Sequence, residues 1–113
     1  MMSLMLPLPD ERILEFKSRI FKVIGDANRL KVLEILRSGE SCQCEIIPMI
    51  DQSQPTVSRH LKLLEEAGLL KSRKEGTKIF YQVVDEHIFN LIDVIDENMR
   101  AMVSKEIAKK YSL

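Results

Sequence analysis

Both cysteines of this 113-residue chain fall in one run, Cys42-Gln43-Cys44. Two cysteines are too few for the disulfide framework of a small secreted domain, so the pair reads as reduced, reactive or metal-binding thiols in a cytoplasmic setting. Two thiolates one residue apart can chelate a thiophilic ion, or lose two electrons and close as a disulfide. Side chains two apart on an intact helix point about 200° away from each other. If Ser41 caps a helix that carries Cys42 and Cys44, either reaction therefore demands that its first turn unwind. The helix dipole favours thiolates there, while Glu40 and Glu45 oppose them. Packed as two small apolar side chains, the pair would do no chemistry.

A second group suits nucleic acid. Gln54, Thr56, Ser58 and Arg59 offer the amide, hydroxyl and guanidinium groups that read base edges in a major groove, and Lys62 offers a cation for phosphate. The chain as a whole is neutral, with 17 Lys and Arg against 17 Asp and Glu. That balance excludes a polybasic tail and an acidic disordered chain. It also hides a distribution. Residues 54–84 hold six basic and three acidic side chains, an excess of three, while residues 1–53 and 85–113 carry deficits of one and two. The alternative is a solvated amphipathic helix beside a charged hairpin.

An enzyme finds little support. With His60 and His87 as the only histidines, no glycine-rich phosphate loop, and Cys-x-Cys in place of Cys-x-x-Cys beside a βαβ pattern, no nucleophile–base pair can be assembled.

Apolar residues Ile13, Phe16, Ile20 and Val23/Ile24 recur at helical spacing after Pro9-Asp10 and predict a first amphipathic helix ended by Gly25. Asp26 caps a second, with Leu30, Leu33 and Leu36 inward, stopped at Ser38-Gly39. A short third helix carries Cys42, Cys44, Ile46, Ile47 and Ile50. Ser53 caps a fourth, with Pro55 in its first turn and Val57, Leu61 and Leu64 inward until Gly68. The period then changes to two strands, Leu69–Lys74 and Lys78–Val83, joined by Glu75-Gly76-Thr77. Asp85 caps a long last helix over 85–110, in which Ile88, Ile92, Ile95, Met99 and Met102 form a lengthwise packing seam.

The result is one domain over 1–113, mainly α with a small β-hairpin, in the order α-α-α-α-β-β-α: the arrangement of a winged helix-turn-helix. Residues 1–9 form a loose N-terminal segment, apolar but broken by two prolines, and read as neither signal peptide nor membrane span. The chain buries a modest core, and dimerisation would add stability.

The run from Asp51 to Leu70, DQSQPTVSRHLKLLEEAGLL, resembles the helix-turn-helix of the ArsR/SmtB family of metal- and metalloid-sensing repressors. Gly25-Asp26-Ala27-Asn28-Arg29-Leu30-Lys31-Val32-Leu33 upstream, Arg73-Lys74-Glu75-Gly76 and Phe80-Tyr81 in the wing, and the Cys-x-Cys extend the resemblance over about residues 11–100. It is nearest the arsenic-sensing branch. The resemblance implies a cytoplasmic homodimer that binds a pseudo-palindromic operator and releases it when arsenite, antimonite or another soft ion binds Cys42 and Cys44. No metal is needed for folding. It implies DNA contacts from Ser53, Gln54, Thr56, Ser58, Arg59, His60, Lys62, Arg73, Lys74 and Lys78. It also implies dimerisation through Ile13, Phe16 and Ile20 of the first helix and Ile88, Ile92, Ile95, Met99 and Met102 of the last.

The arsenic-type motif has a third cysteine where this chain has Ile47. The third ligand could be a small thiol, water or a group of the other subunit. Two thiolates also accept cadmium, lead or copper(I). A thiol-redox switch at Cys42 and Cys44 is the alternative trigger, and a metal buffer without DNA binding the remaining one. Asp85-Glu86-His87 matches half of the family's zinc-type site, but Asn98 and Ala101 stand where the other half belongs. Asp85 is accordingly read as a helix cap and His87 as an ordinary helix residue, with zinc sensing there as the minor alternative.

Overall fold

The computed structural model describes residues 6–112; of the N-terminal segment expected to be loose, Met1–Met5 lie outside the described residues, and Leu6–Pro9 carries no helix or strand. Helix α1 (Glu11–Ile24) begins where the Asp10 carboxylate accepts a hydrogen bond from the Arg12 amide at 2.7 Å. Helix α2 (Ala27–Leu36) begins at Asp26, whose carboxylate accepts from the amides of Asn28 and Arg29. These satisfy amide groups that the first helical turn leaves without partners.

Strand β1 (Ser41–Cys42), the single turn α3 (Gln43–Ile46) and a 3-10 turn (Ile47–Met49) lead to helix α4 (Gln54–Glu66). Ser53 caps α4, its hydroxyl accepting from the Thr56 amide, and Pro55 occupies the first turn. Gly68, with φ at +83°, closes the helix in a backbone conformation that side-chain-bearing residues avoid. The wing is β2 (Leu70–Glu75) and β3 (Lys78–Val83), antiparallel with Glu75 opposite Lys78. That register leaves a two-residue turn, Gly76-Thr77. Positive φ at Gly76 alone is the type II′ pattern that matches strand twist.

One core serves every element that positions the site. Val32, Leu33 and Leu36 of α2, Ile46 of α3, and Val57, Leu61 and Leu64 of α4 are the innermost, joined by Leu70, Tyr81 and Val83 of the wing. The expected α4 stripe is buried in full; on α2, Val32 is buried and Leu30 only half-buried. Glu65 of α4 accepts a hydrogen bond from the Ser72 hydroxyl of β2 at 2.6 Å, tying wing to helix.

Three expectations change. The hairpin is a three-stranded sheet in the order β1-β3-β2, because Ser41 and Cys42 pair with Tyr81 and Phe80. Cys42 therefore lies in a strand and caps the third helix, which starts one residue later than a Ser41 cap would place it. The last helix is two: α5 (His87–Asp93) and α6 (Glu97–Tyr111). The break has a cause at each side. Arg37 at the end of α2 holds Asp93 through two hydrogen bonds of 2.8–2.9 Å and lies over the Phe89 ring, so α5 is fastened to the domain. Asp96 is extended and its carboxylate caps α6 by accepting from the Met99 amide.

The expected dimer seam divides accordingly. Ile20 and Ile88 are buried in the protomer's own core and Ile92 packs against it. Ile13, Phe16, Ile95, Met99 and Met102 remain exposed, together with Leu14, Phe21, Val103 and Ile107. No residue of α6 is buried. Among the described residues no helix is long and apolar enough to cross a membrane.

Candidate DNA interface and dithiol site

Helix α4 turns Val57, Leu61 and Leu64 inward, and its 3.6-residue period places Gln54, Arg59 and Lys62 on the opposite, exposed face. Pro55, Ser58, Arg59, Lys62, Leu63 and Glu66 line a shallow groove of about 280 Å³ along it. Lys74 and Lys78 extend from the wing into solvent. The sequence-predicted donors Gln54, Arg59, Lys62, Lys74 and Lys78 thus have solvent-facing side chains. Thr56 and Ser58 are half-buried at the rim, and Ser53 is engaged with Thr56, hydroxyl to hydroxyl at 2.9 Å.

His60 and Arg73, also expected at the DNA, make long-range polar contacts within the protein. His60 lies three residues from Val57 and so turns toward the domain, with only 12% of its side chain exposed. Its Nδ1 faces an Arg29 guanidinium nitrogen at 3.2 Å, and its Nε2 lies 3.9 Å from the Asp26 carboxylate. Arg29 also donates from Nε to the Val23 carbonyl, so His60 locks α4 onto the α1–α2 corner. Arg73 is held between carboxylates, donating to Glu40 at 2.7 and 2.9 Å and to Glu75 at 2.8 Å. Its guanidinium stacks 4.5 Å over the Phe80 ring. The guanidinium beside Glu40 holds that carboxyl below the usual carboxylate range, so the ion pair persists at neutral pH.

Cys42 and Cys44 are joined as a disulfide. Cys42 is extended, at φ −69° and ψ 141°, and its sulfur accepts from the Cys44 amide at 3.1 Å. This corrects the expectation that a helical turn must unwind: with Cys42 outside the helix as its cap, the sulfurs meet while α3 stays intact. Cys42 is buried and Cys44 exposed, so an incoming ion or oxidant reaches the pair from the Cys44 side. Ile47, where a third thiol would stand, packs against the core. Among the described residues no three Cys, His, Asp or Glu side chains gather as a metal site. The chain's own residues therefore fit a soft ion with two thiolates and leave its remaining position to another donor. Asp85 and His87 pair with each other in solvent, the Asp85 carboxylate accepting from the His87 amide at 2.9 Å.

Sequence reasoning missed the contacts of this site. Strand pairing puts Cys42 opposite Phe80, and Phe80 opposite Arg73, so one row of side chains runs from the dithiol across the wing. Gln43, between the cysteines, donates from Nε2 to the Ser58 hydroxyl of α4 at 2.8 Å. A two-residue strand and a glutamine between cysteines carry no periodic signal, so neither was visible beforehand.

Residues 26–72 match the family model described as bacterial regulatory protein, arsR family. An uncharacterized HTH-type transcriptional regulator of Methanocaldococcus jannaschii is 44% identical over 84 residues, 74% of this chain and 94% of that protein. The arsenical resistance operon repressor of Staphylococcus aureus is 37% identical over 89 residues, 75% of this chain and 86% of the repressor. The fold is shared with a homodimeric winged helix-turn-helix DNA-binding domain from Mycobacterium bovis, at a TM-score of 0.65 and 23% identity over 96% of this chain and 94% of that one.

Proposed function

The chain belongs to the ArsR family of bacterial regulatory proteins, DNA-binding transcriptional repressors rather than enzymes, and we propose that the state of its Cys42–Cys44 pair sets its affinity for an operator. The observation that carries this reading is the convergence of both sulfurs on a segment bonded directly to α4 and to the wing. A homodimer built on α1 and α6 presents two α4 helices to successive major grooves of a pseudo-palindromic site, about 34 Å apart. Gln54, Thr56, Ser58 and Arg59 face base edges, while Lys62, Lys74 and Lys78 face phosphates. The repressor acts in the cytoplasm and lets go when arsenite or antimonite takes the two thiolates.

The arsenical resistance repressor among its relatives supports a metalloid inducer. So does the donor set, since soft thiolates suit soft ions. The third donor is a small cytoplasmic thiol, water or a group of the second subunit. The bonded sulfurs favour one second reading: an oxidant such as a peroxide takes two electrons and two protons from the pair, closing the disulfide and leaving water. A titration of operator release from the reduced protein with arsenite, antimonite, cadmium, zinc and hydrogen peroxide separates the readings. Release at the lowest concentrations by the metalloids is expected. Release by peroxide alone establishes the redox reading, and release by none of them overturns both.

Within this interface Arg59→Ala is expected to weaken operator binding by about 1–3 kcal/mol and to relax preference at one base pair. Fluorescence anisotropy on single-base operator variants checks it. Uniform weakening across all variants would make Arg59 a phosphate contact.

A further inference from the structure

Gln43 occupies the middle of the ring that the two sulfurs close. When one ion or one bond joins Cys42 to Cys44, the backbone angles of Gln43 are fixed by that closure, and its side chain already reaches Ser58 on α4 at 2.8 Å. Ser58 lines the groove beside Arg59 and Lys62, so its hydroxyl sits where the DNA-reading face begins. The structure, with its sulfurs joined, thus shows the hydroxyl held by the protein.

We propose that Gln43 is the positioning residue through which the dithiol acts on DNA binding: with the sulfurs joined it holds Ser58, and with the thiols apart it releases Ser58 to the operator. The inference rests on the reading that the pair is the sensor. In the joined state the amide occupies one lone pair of the Ser58 hydroxyl and fixes its rotamer toward α3, while in the open state the hydroxyl turns freely to donate or accept toward DNA. Joining therefore exchanges a contact with DNA for one within the protein, which is the differential interaction that coupling between sites requires.

Phenylarsine oxide tests this without a third thiol. The trivalent arsenic forms one bond to each sulfur, its oxygen leaves as water with the two thiol protons, and no oxidation state changes. Operator affinity is measured for the reduced protein with and without the arsenical, while loss of free thiols reports its binding. Gln43→Ala is expected to bind the arsenical and to bind DNA like wild type when reduced. The ratio of its two operator affinities should fall about tenfold relative to wild type, the weight of a hydrogen bond exchanged in each half-site. Ser58→Ala should lower the ratio similarly, and the double variant should lower it no further, since both remove the same contact. A wild-type ratio in Gln43→Ala, or additive losses in the double variant, overturns the relay alone. A wild-type protein that takes up the arsenical and keeps its DNA removes the sensor reading and the relay with it.

Discussion

Met102→Glu with Val103→Glu is expected to yield a folded monomer whose operator affinity is lower by about 100-fold or more. Helix α6 contributes nothing to the protomer's core, and Glu is a good helix former, so the substitutions leave the domain intact. An isolated helix of 15 residues is marginal in water, and this one shows Met99, Met102, Val103, Ile107 and Tyr111 to solvent in the single chain. A second copy covering them, with Ile13 and Phe16 of α1, would account for both the length and the apolarity of α6. Two linked reading heads bind far more tightly than one, by factors of about 10² to 10⁴. The excess of three positive charges per protomer over residues 54–84 is too small to compensate. Light scattering and operator titration on the same sample check the expectation. A dimer of unchanged affinity would place the interface elsewhere.

The second large effect concerns response rather than binding. Cys42→Ser with Cys44→Ser is expected to leave operator affinity within about twofold of the reduced wild type and to abolish release by arsenite. A coupled effector typically changes affinity by about 5- to 150-fold, and that factor should fall to one. Stability should change little, because serine at position 42 can accept the Cys44 amide as the sulfur does and is a favoured helix cap. Arsenite release that survives the double substitution would put the ligand site elsewhere in the chain.

Much of this was legible in the residues. Helix caps at Asp26 and Ser53 and the α4 stripe of Val57, Leu61 and Leu64 are local signals, and each element formed where its signal lay; the first wing strand instead runs one residue later than expected, Leu70–Glu75 in place of Leu69–Lys74, which shortens the turn to Gly76-Thr77. The break at 94–96 was also written locally, as two β-branched residues followed by Asp96 and Glu97, but the heptad spacing of Ile88, Ile92 and Ile95 reads smoothly through it. Periodicity does not register a cap inside a seam. The partners of His60 and Arg73 were hidden for another reason: side-chain contacts across 31 or 33 residues depend on tertiary packing, which neither residue's own chemistry announces. The same holds for Gln43 and Ser58, 15 residues apart in sequence and adjacent only once α3 and α4 pack.

Strand β1 also decides what the wing does not do. An open strand edge is a template for another chain, and β3 would offer one. Ser41 and Cys42 cover its midpoint at Tyr81 and Phe80, leaving two residues on either side, too few to seat a further strand. On the far edge β2 carries Lys71, Arg73 and Lys74, whose charges discourage pairing with a like strand. The same two residues that bring a sulfur to the dithiol thus guard the sheet against edge-to-edge association, and leave the exposed apolar helix faces as the surface open to a second copy.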